Sequence, residues 1–199
     1  MIETDGAARF GLLLVRDFLG ARECAALAAE LRAAEGGPAA VYGRGESGAV
    51  DERVRRAARL VPSRGTVEFV IRRLSDLKPR VEEHFGRKLA GCEEPQFLRY
   101  REGDFFVAHQ DGNTGLLRSE REARLVSVVI FLSRQADESG DGDYGGGALV
   151  FSDWRPGSPR GEFRLGGEPG ALVAFRAETT HEVTPVTHGE RLSIACWYN

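Results

Sequence analysis

The chain has 199 residues, with 27 Lys and Arg against 30 Asp and Glu and a formal net charge of −3. At 42% hydrophobic and 29% charged residues, it has the composition of an ordinary soluble globular domain, long enough to bury a core without disulfide or metal staples. The balanced charge, free of like-charge blocks, speaks against nucleic acid or a membrane surface as partner, and no apolar run approaches the roughly 20 residues that span a bilayer.

The opening Met1-Ile2-Glu3-Thr4-Asp5 is acidic and lacks the charged-then-apolar pattern of a secretion signal. Cys24, Cys92 and Cys196 are widely spaced and form no metal-like pair; they read as small buried hydrophobes in a reducing compartment, so a cytoplasmic location is expected. Residues 9–19 read as a strand, with Phe10, Leu12 and Leu14 alternating. Ala21 to Ala34 is rich in helix formers and should stop at Gly36-Gly37-Pro38. Val41-Tyr42 reads as a short strand and Gly43 to Gly48 as loop. Arg53, Arg55, Arg56 and Arg59 form a basic cluster that is either a solvated face or, with Arg53 as its candidate, part of a substrate entrance. Thr66 to Phe85 is helical by the spacing of Val67, Val70, Ile71, Leu74 and Leu77, with Pro79 expected to kink or break it. His84 reads as a polar C-terminal residue of that helix rather than a ligand.

From Pro95 the pattern changes to short strands separated by glycine turns. Expected strands are 96–100, 105–111, 125–132, 148–151, 171–175, 182–185 and 191–198; the third, apolar except for Ser127, reads as central. Such a series suggests a sandwich or barrel of the jelly-roll kind. The polar, acidic loop 134–144 is a candidate mobile segment. Loops 42–62 and 134–160 are expected to shape an entrance, with Trp154 near its mouth or, equally, packed as an edge aromatic.

The chemically informative residues are His109-Gln110-Asp111. In a strand, positions i and i+2 share a face, so an imidazole and a carboxylate can meet at one point. H-x-D alone arises often by chance and needs a third ligand, which His181 can supply from a later strand. Two His and one carboxylate are the facial triad of non-haem iron(II) oxygenases. Arg191 is a cation in an otherwise apolar strand and needs an anionic partner. Its fork suits the far carboxylate of a dianionic 2-oxo acid, with Ser193 adding a hydroxyl two residues on; the alternative is an internal salt bridge.

These residues resemble the prolyl 4-hydroxylase-like branch of the iron(II)- and 2-oxoglutarate-dependent oxygenases. The resemblance runs from Leu14 to Leu19 and the following helix, through Tyr100, Gly103, His109, Asp111 and Gly146-Gly147, to His181-Glu182-Val183, Arg191 and Trp197-Tyr198. It implies a mostly β fold: a double-stranded β-helix (jelly-roll, cupin-like) core with N-terminal helices packed on one face. One domain over 1–199 is expected, with residues 1–90 as support and 91–199 as catalytic core. It implies His109, Asp111 and His181 as iron(II) ligands, and Arg191, Tyr100 and Ser193 around 2-oxoglutarate, with ascorbate as accompanying reductant. Phe131 stands where the hypoxia-type enzymes carry a tyrosine to the same carboxylate, and Phe106 where the collagen-type enzymes carry a tyrosine. The implied activity is C–H hydroxylation, of a prolyl residue in a protein or peptide or, alternatively, of a free amino acid or small natural product. Asp111 argues against a halogenase, whose site lacks the carboxylate. The absence of a second arginine after Arg191 argues against a nucleic-acid demethylase. A metal-binding jelly-roll without catalysis is the reading from a different class.

Overall fold

The computed structural model describes residues 2–41, 50–112, 124–138, 140, 142–153 and 161–199. Helices α1 (Ile2–Arg9), α2 (Ala21–Ala33) and α3 (Arg64–Phe85) interleave with β1 (Leu13–Val15), β2 (Gly36–Pro38), β3 (Arg55–Arg56) and β4 (Ala58–Leu60). The remaining strands are β5 (Gln96–Tyr100), β6 (Phe105–His109), β7 (Val126–Phe131), β8 (Tyr144–Gly146) and β9 (Leu149–Asp153). β10 (Gly161–Leu165), β11 (Leu172–Arg176), β12 (Thr180–Val183), β13 (Val186–Gly189) and β14 (Arg191–Tyr198) complete them. The larger sheet has the order β1-β11-β7-β14-β5-β4-β2, the smaller β10-β9-β12-β6-β3, and β13 pairs with β8. All recorded ladders are antiparallel, as the expected jelly-roll requires.

The period-2 alternation of strands sorts the central residues between two cores. Leu192, Ile194, Cys196 and Tyr198 of β14, with Val128 and Ile130 of β7, pack under the helices against Leu31, Leu74 and Val81. The Tyr198 hydroxyl donates to the Leu74 carbonyl at 2.7 Å, tying α3 to the sheet. The opposite faces look into the space between the sheets, where Leu98, Phe131, Phe151, Phe175 and Val183 form the second core. The other half of β14 (Arg191, Ser193, Ala195 and Trp197) lines a cavity of about 160 Å³ in that space.

Both long helices have identifiable ends. Glu23 reaches back to accept from the Gly20 N–H at the start of α2. Ser63 caps α3 by accepting from the Thr66 N–H, and Gly86 closes it in the left-handed region at φ 62°. α3 runs through Pro79 without a break. Leu74 and Val81, fully buried on either side of the proline, hold the backbone by packing.

Other expectations also shift. Only 13–15 of residues 9–19 form a strand, because residues 2–9 are helical and residues 16–19 turn into α2. Gly36-Gly37-Pro38 ends α2 but then pairs with β4. Val41 is bridged, while Tyr42 and the Gly43–Gly48 loop lie outside the described residues. The ends of loop 134–144 are tied together, with Tyr144 N–H donating to Arg134 and Ala136 N–H to Tyr144. Cys24 and Cys196 are buried as expected, but Cys92 is half-buried; a hydrogen bond with Cys196 pulls its thiol below the ordinary range. No helix among the described residues is long and apolar enough to cross a membrane.

Candidate metal centre and cosubstrate pocket

β6 and β12 are neighbours in the smaller sheet, and their register sets His181 directly opposite His109. Cross-strand pairing thus brings together two imidazoles separated by 72 positions in sequence. Strand β6 ends at His109, so Asp111 lies in the bend that follows rather than on the expected continuation to residue 111. The bend is anchored by the Gly112 N–H donating to the Ala177 carbonyl at 2.9 Å. Ser127, the polar break in the apolar run of β7, donates its hydroxyl to Asp111 Oδ2 at 2.7 Å. The carboxylate is therefore aimed by two neighbours rather than by strand geometry alone.

The result is a compact donor set. One ligand atom from each of His109, Asp111 and His181 lies within 4.8 Å of the others. Nε2 of His109 is 3.6 Å from Asp111 Oδ1, and Nε2 of His181 is 3.5 Å from Oδ2. In each ring Nδ1 is engaged by a backbone carbonyl two residues earlier, Val107 at 2.8 Å and Thr179 at 2.9 Å. With Nδ1–H donating there, Nε2 carries the free lone pair and faces the common point, the usual outer-shell device at a metal. Burial pushes His181 down to about 4, with His109 adding to the shift and Asp111 opposing it. The ring is thus neutral near pH 7, the form that ligates. Burial works against ionisation of Asp111, but the two imidazoles outweigh it and hold the carboxyl below its ordinary range. The donor set, two imidazoles and a carboxylate with one face toward a cavity, fits a divalent first-row metal such as iron(II).

Arg191 lines the same cavity, 1% exposed. Its Nη1 donates to the Ser193 hydroxyl at 2.7 Å. The guanidinium sits 5.1 Å from the Tyr100 ring, its cross-strand partner, and 5.5 Å from the Phe131 ring. Nε is buried without a partner, and no carboxylate among the described residues lies within ion-pair distance, so the internal salt bridge is not found. A buried cation with unused donors, in a cavity with a metal-type donor set, fits an acidic cosubstrate.

Sequence reasoning missed Tyr144. Its fully buried phenol has no hydrogen-bond partner. Burial pushes its hydroxyl pKa up, and the adjacent Arg191 acts in the other direction. The available signal was the glycine run after it. Gly146 and Gly147 adopt φ of 63° and 56°; a Cβ on Gly147 would come within 3.0 Å of the Tyr144 ring and 3.1 Å of Arg191 Cδ. Also missed was the site role of Trp197, whose buried indole lines the cavity beside Asp111; Phe106, noted in sequence only as replacing a tyrosine, stacks on His109 at 3.6 Å. Arg53 is exposed and does not line the cavity; the cluster member that does is Arg55. Trp154 lies outside the described residues. His84 is bonded to the Gly11 carbonyl, away from the triad.

A family model described as the 2OG-Fe(II) oxygenase superfamily matches residues 95–199, more than half of the chain. The chain belongs to this superfamily. Among curated relatives, a PKHD-type hydroxylase of Paraburkholderia phytofirmans is 35% identical over 104 residues, 52% of this chain and 41% of the relative. A PKHD-type hydroxylase of Shewanella oneidensis is 33% identical over 108 residues, with the same shares of each chain. The oxygenase thus spans less than half the length of the curated relatives it matches. Among solved structures, a Pseudomonas putida prolyl-4-hydroxylase superposes with a TM-score of 0.69 at 24% identity, covering 100% of this chain and 97% of that one. A Trichoplax adhaerens prolyl hydroxylase in complex with a hypoxia inducible factor peptide fragment gives 0.70 at 18%, covering 98% and 86%. HygX from Streptomyces hygroscopicus, with nickel, 2-oxoglutarate and hygromycin B bound, gives 0.63 at 16%, covering 100% and 86%. The jelly-roll of this oxygenase is the fold of these enzymes, and its relatives are PKHD-type and prolyl 4-hydroxylase-like.

Proposed function

We propose that the protein is an iron(II)- and 2-oxoglutarate-dependent hydroxylase, with His109, Asp111 and His181 holding the metal and Arg191 the far carboxylate of the cosubstrate. The observation that carries this reading is the joint placement in one cavity of the triad and a buried arginine without an acidic partner. Bound iron and 2-oxoglutarate supply the oxidising chemistry that turns a substrate C–H into C–OH, with release of succinate and CO₂. The chain's own residues do the rest. The Val107 and Thr179 carbonyls fix the imidazole tautomers, Ser127 steers the carboxylate, and Ser193 and Tyr100 orient the Arg191 fork. The apolar walls, Leu98, Val129 and Leu149 among them, keep water from the reacting atoms.

The substrate assigned here is a prolyl residue in a protein or peptide, supported by the prolyl hydroxylases among the structural neighbours. A free amino acid or small natural product is the alternative, supported by the neighbour that binds hygromycin B. We read residues 1–199 as one catalytic domain, because α2 and α3 share a continuous core with the larger sheet. Ascorbate is the reductant and the cytoplasm the location in this reading; three free cysteines suit a reducing compartment.

Anaerobic iron titration followed by succinate measurement tests the assignment. The parent should bind one iron and form succinate only when 2-oxoglutarate and O₂ are present. His109→Ala, Asp111→Ala and His181→Ala should each abolish that turnover. Full turnover in any of the three variants would remove that residue from the metal centre.

A further inference from the structure

Three arginines line the cavity, Arg55, Arg124 and Arg191, against a single carboxylate among the described residues, Asp111. Arg124 is already paired: its Nε and Nη2 donate to Glu93 at 2.7 and 2.8 Å, and its guanidinium covers the Trp197 ring. Arg191 is assigned above to the cosubstrate. Arg55 has no such use. It is 7% exposed, its Nη1 donates to the Ala40 carbonyl at 3.1 Å, and its guanidinium lies 4.8 Å from the Phe106 ring. Nε is buried with no acceptor, and Nη2 has none among the described residues. Asp51, one turn earlier, accepts from the Arg53 N–H instead.

A guanidinium withdrawn from water without a counter-charge is unfavourable. The Nε–Nη2 edge of Arg55, without an acceptor among the described residues, matches a carboxylate in a two-bond fork. It is also close to the centre of the site. β3 pairs with β6 so that Arg55 faces Phe106, and Phe106 stacks on the His109 imidazole at 3.6 Å and 18°. A single ring therefore separates the unused fork from the triad.

We propose that Arg55 binds a carboxylate of the substrate that is hydroxylated, and that this oxygenase therefore acts on an acid. That acid is either a free amino acid held by its α-carboxylate or a peptide with an acidic side chain beside the hydroxylated residue. The inference rests on the oxygenase reading above.

The test uses matched acid and amide probes: L-proline with L-prolinamide, L-leucine with L-leucinamide, and end-capped Gly-Pro-Glu with Gly-Pro-Gln. Each is titrated calorimetrically, without O₂, into protein loaded with iron and 2-oxoglutarate, and assayed for succinate formed above the substrate-free level. At least one acid should bind about tenfold or more tighter than its amide in the parent, as expected when a charged hydrogen-bonded partner is lost. The ratio should fall to near one in Arg55→Gln and recover in part in Arg55→Lys, which keeps the cation without the fork. Preference for a free amino acid over the capped peptide identifies the α-carboxylate as the group held, and the reverse identifies the side chain. Leucine preference without any proline preference keeps Arg55 as the carboxylate site and removes the prolyl substrate. Equal binding of acid and amide in the parent, a preference that survives Arg55→Gln, or no binding of any probe overturns the proposal. So does an Arg55→Gln protein that loses 2-oxoglutarate affinity instead, since Arg55 would then serve the cosubstrate. A parent that binds neither iron nor 2-oxoglutarate fails earlier, at the oxygenase reading itself.

Discussion

The proposed hold on an acidic cosubstrate turns on Arg191. Its burial is stable only with a counter-charge, and the described protein residues provide a hydroxyl and two aromatic rings instead. Arg191→Met should raise the 2-oxoglutarate KM while leaving iron binding nearly intact. Loss of such a charged pair costs about 2–5 kcal/mol, on the order of 30-fold or more in affinity. Arg191→Lys should lose less. Parallel titrations of iron and 2-oxoglutarate in the same variants check this, and unchanged cosubstrate affinity in Arg191→Met would return the residue to a structural role. Its phenolic neighbour Tyr144 has a different origin from the expected tyrosine. Phe131 lacks the hydroxyl at the position where the hypoxia-type enzymes carry one, and Tyr144 brings one near the same guanidinium from β8.

At the scale of elements, turns and caps are as informative as strands. Gly147 combines a φ of 56° with contacts that leave no room for a methyl group beside Arg191 and Tyr144. Gly147→Ala should therefore destabilise the fold by about 1–3 kcal/mol and weaken 2-oxoglutarate binding, measured by urea unfolding and cosubstrate titration. A loss of stability with no loss of affinity would separate the turn from the pocket. Glu30 of α2 accepts from the Ser63 N–H and the Thr66 hydroxyl at the start of α3. The Thr66 bond leads in holding its carboxyl below the ordinary range, against a smaller opposing effect of burial. Because the folded value lies below the unfolded one, this contribution is complete above the ordinary carboxylate range and is lost as pH falls through the folded value. Glu30→Gln should cost about 1 kcal/mol at neutral pH and flatten that part of the acid limb; an unchanged acid limb would discount the link. β5 and β14 were legible to the residue, because alternation over five and eight positions in a buried sheet leaves one register. β2, β3, β4, β8 and β13 were not, since strands of two to four residues rich in Gly and Arg carry no period and exist only through their partners. The triad was legible as spacing, but the bend at Asp111 was not. It depends on Ser127 and Ala177, which are distant in sequence.

The molecule as a whole is two sheets closed on a site, with helices buttressing the larger sheet from outside. A ligand that binds only the folded state stabilises it by mass action, about 2.7 kcal/mol at a hundred times its Kd. For a chain of this size that is a rise of roughly 5–11 °C in Tm. Manganese(II), as a redox-inert stand-in for iron, should produce such a rise in the parent and none in Asp111→Ala; equal rises in both would place the ion elsewhere. The pairing of His181 with His109 has a wider consequence. A one-residue slip in that register would turn the imidazole to the opposite face. An insertion or deletion inside β6 or β12 would therefore dismantle the donor set even with every donor residue kept, so strand length matters here as much as residue identity.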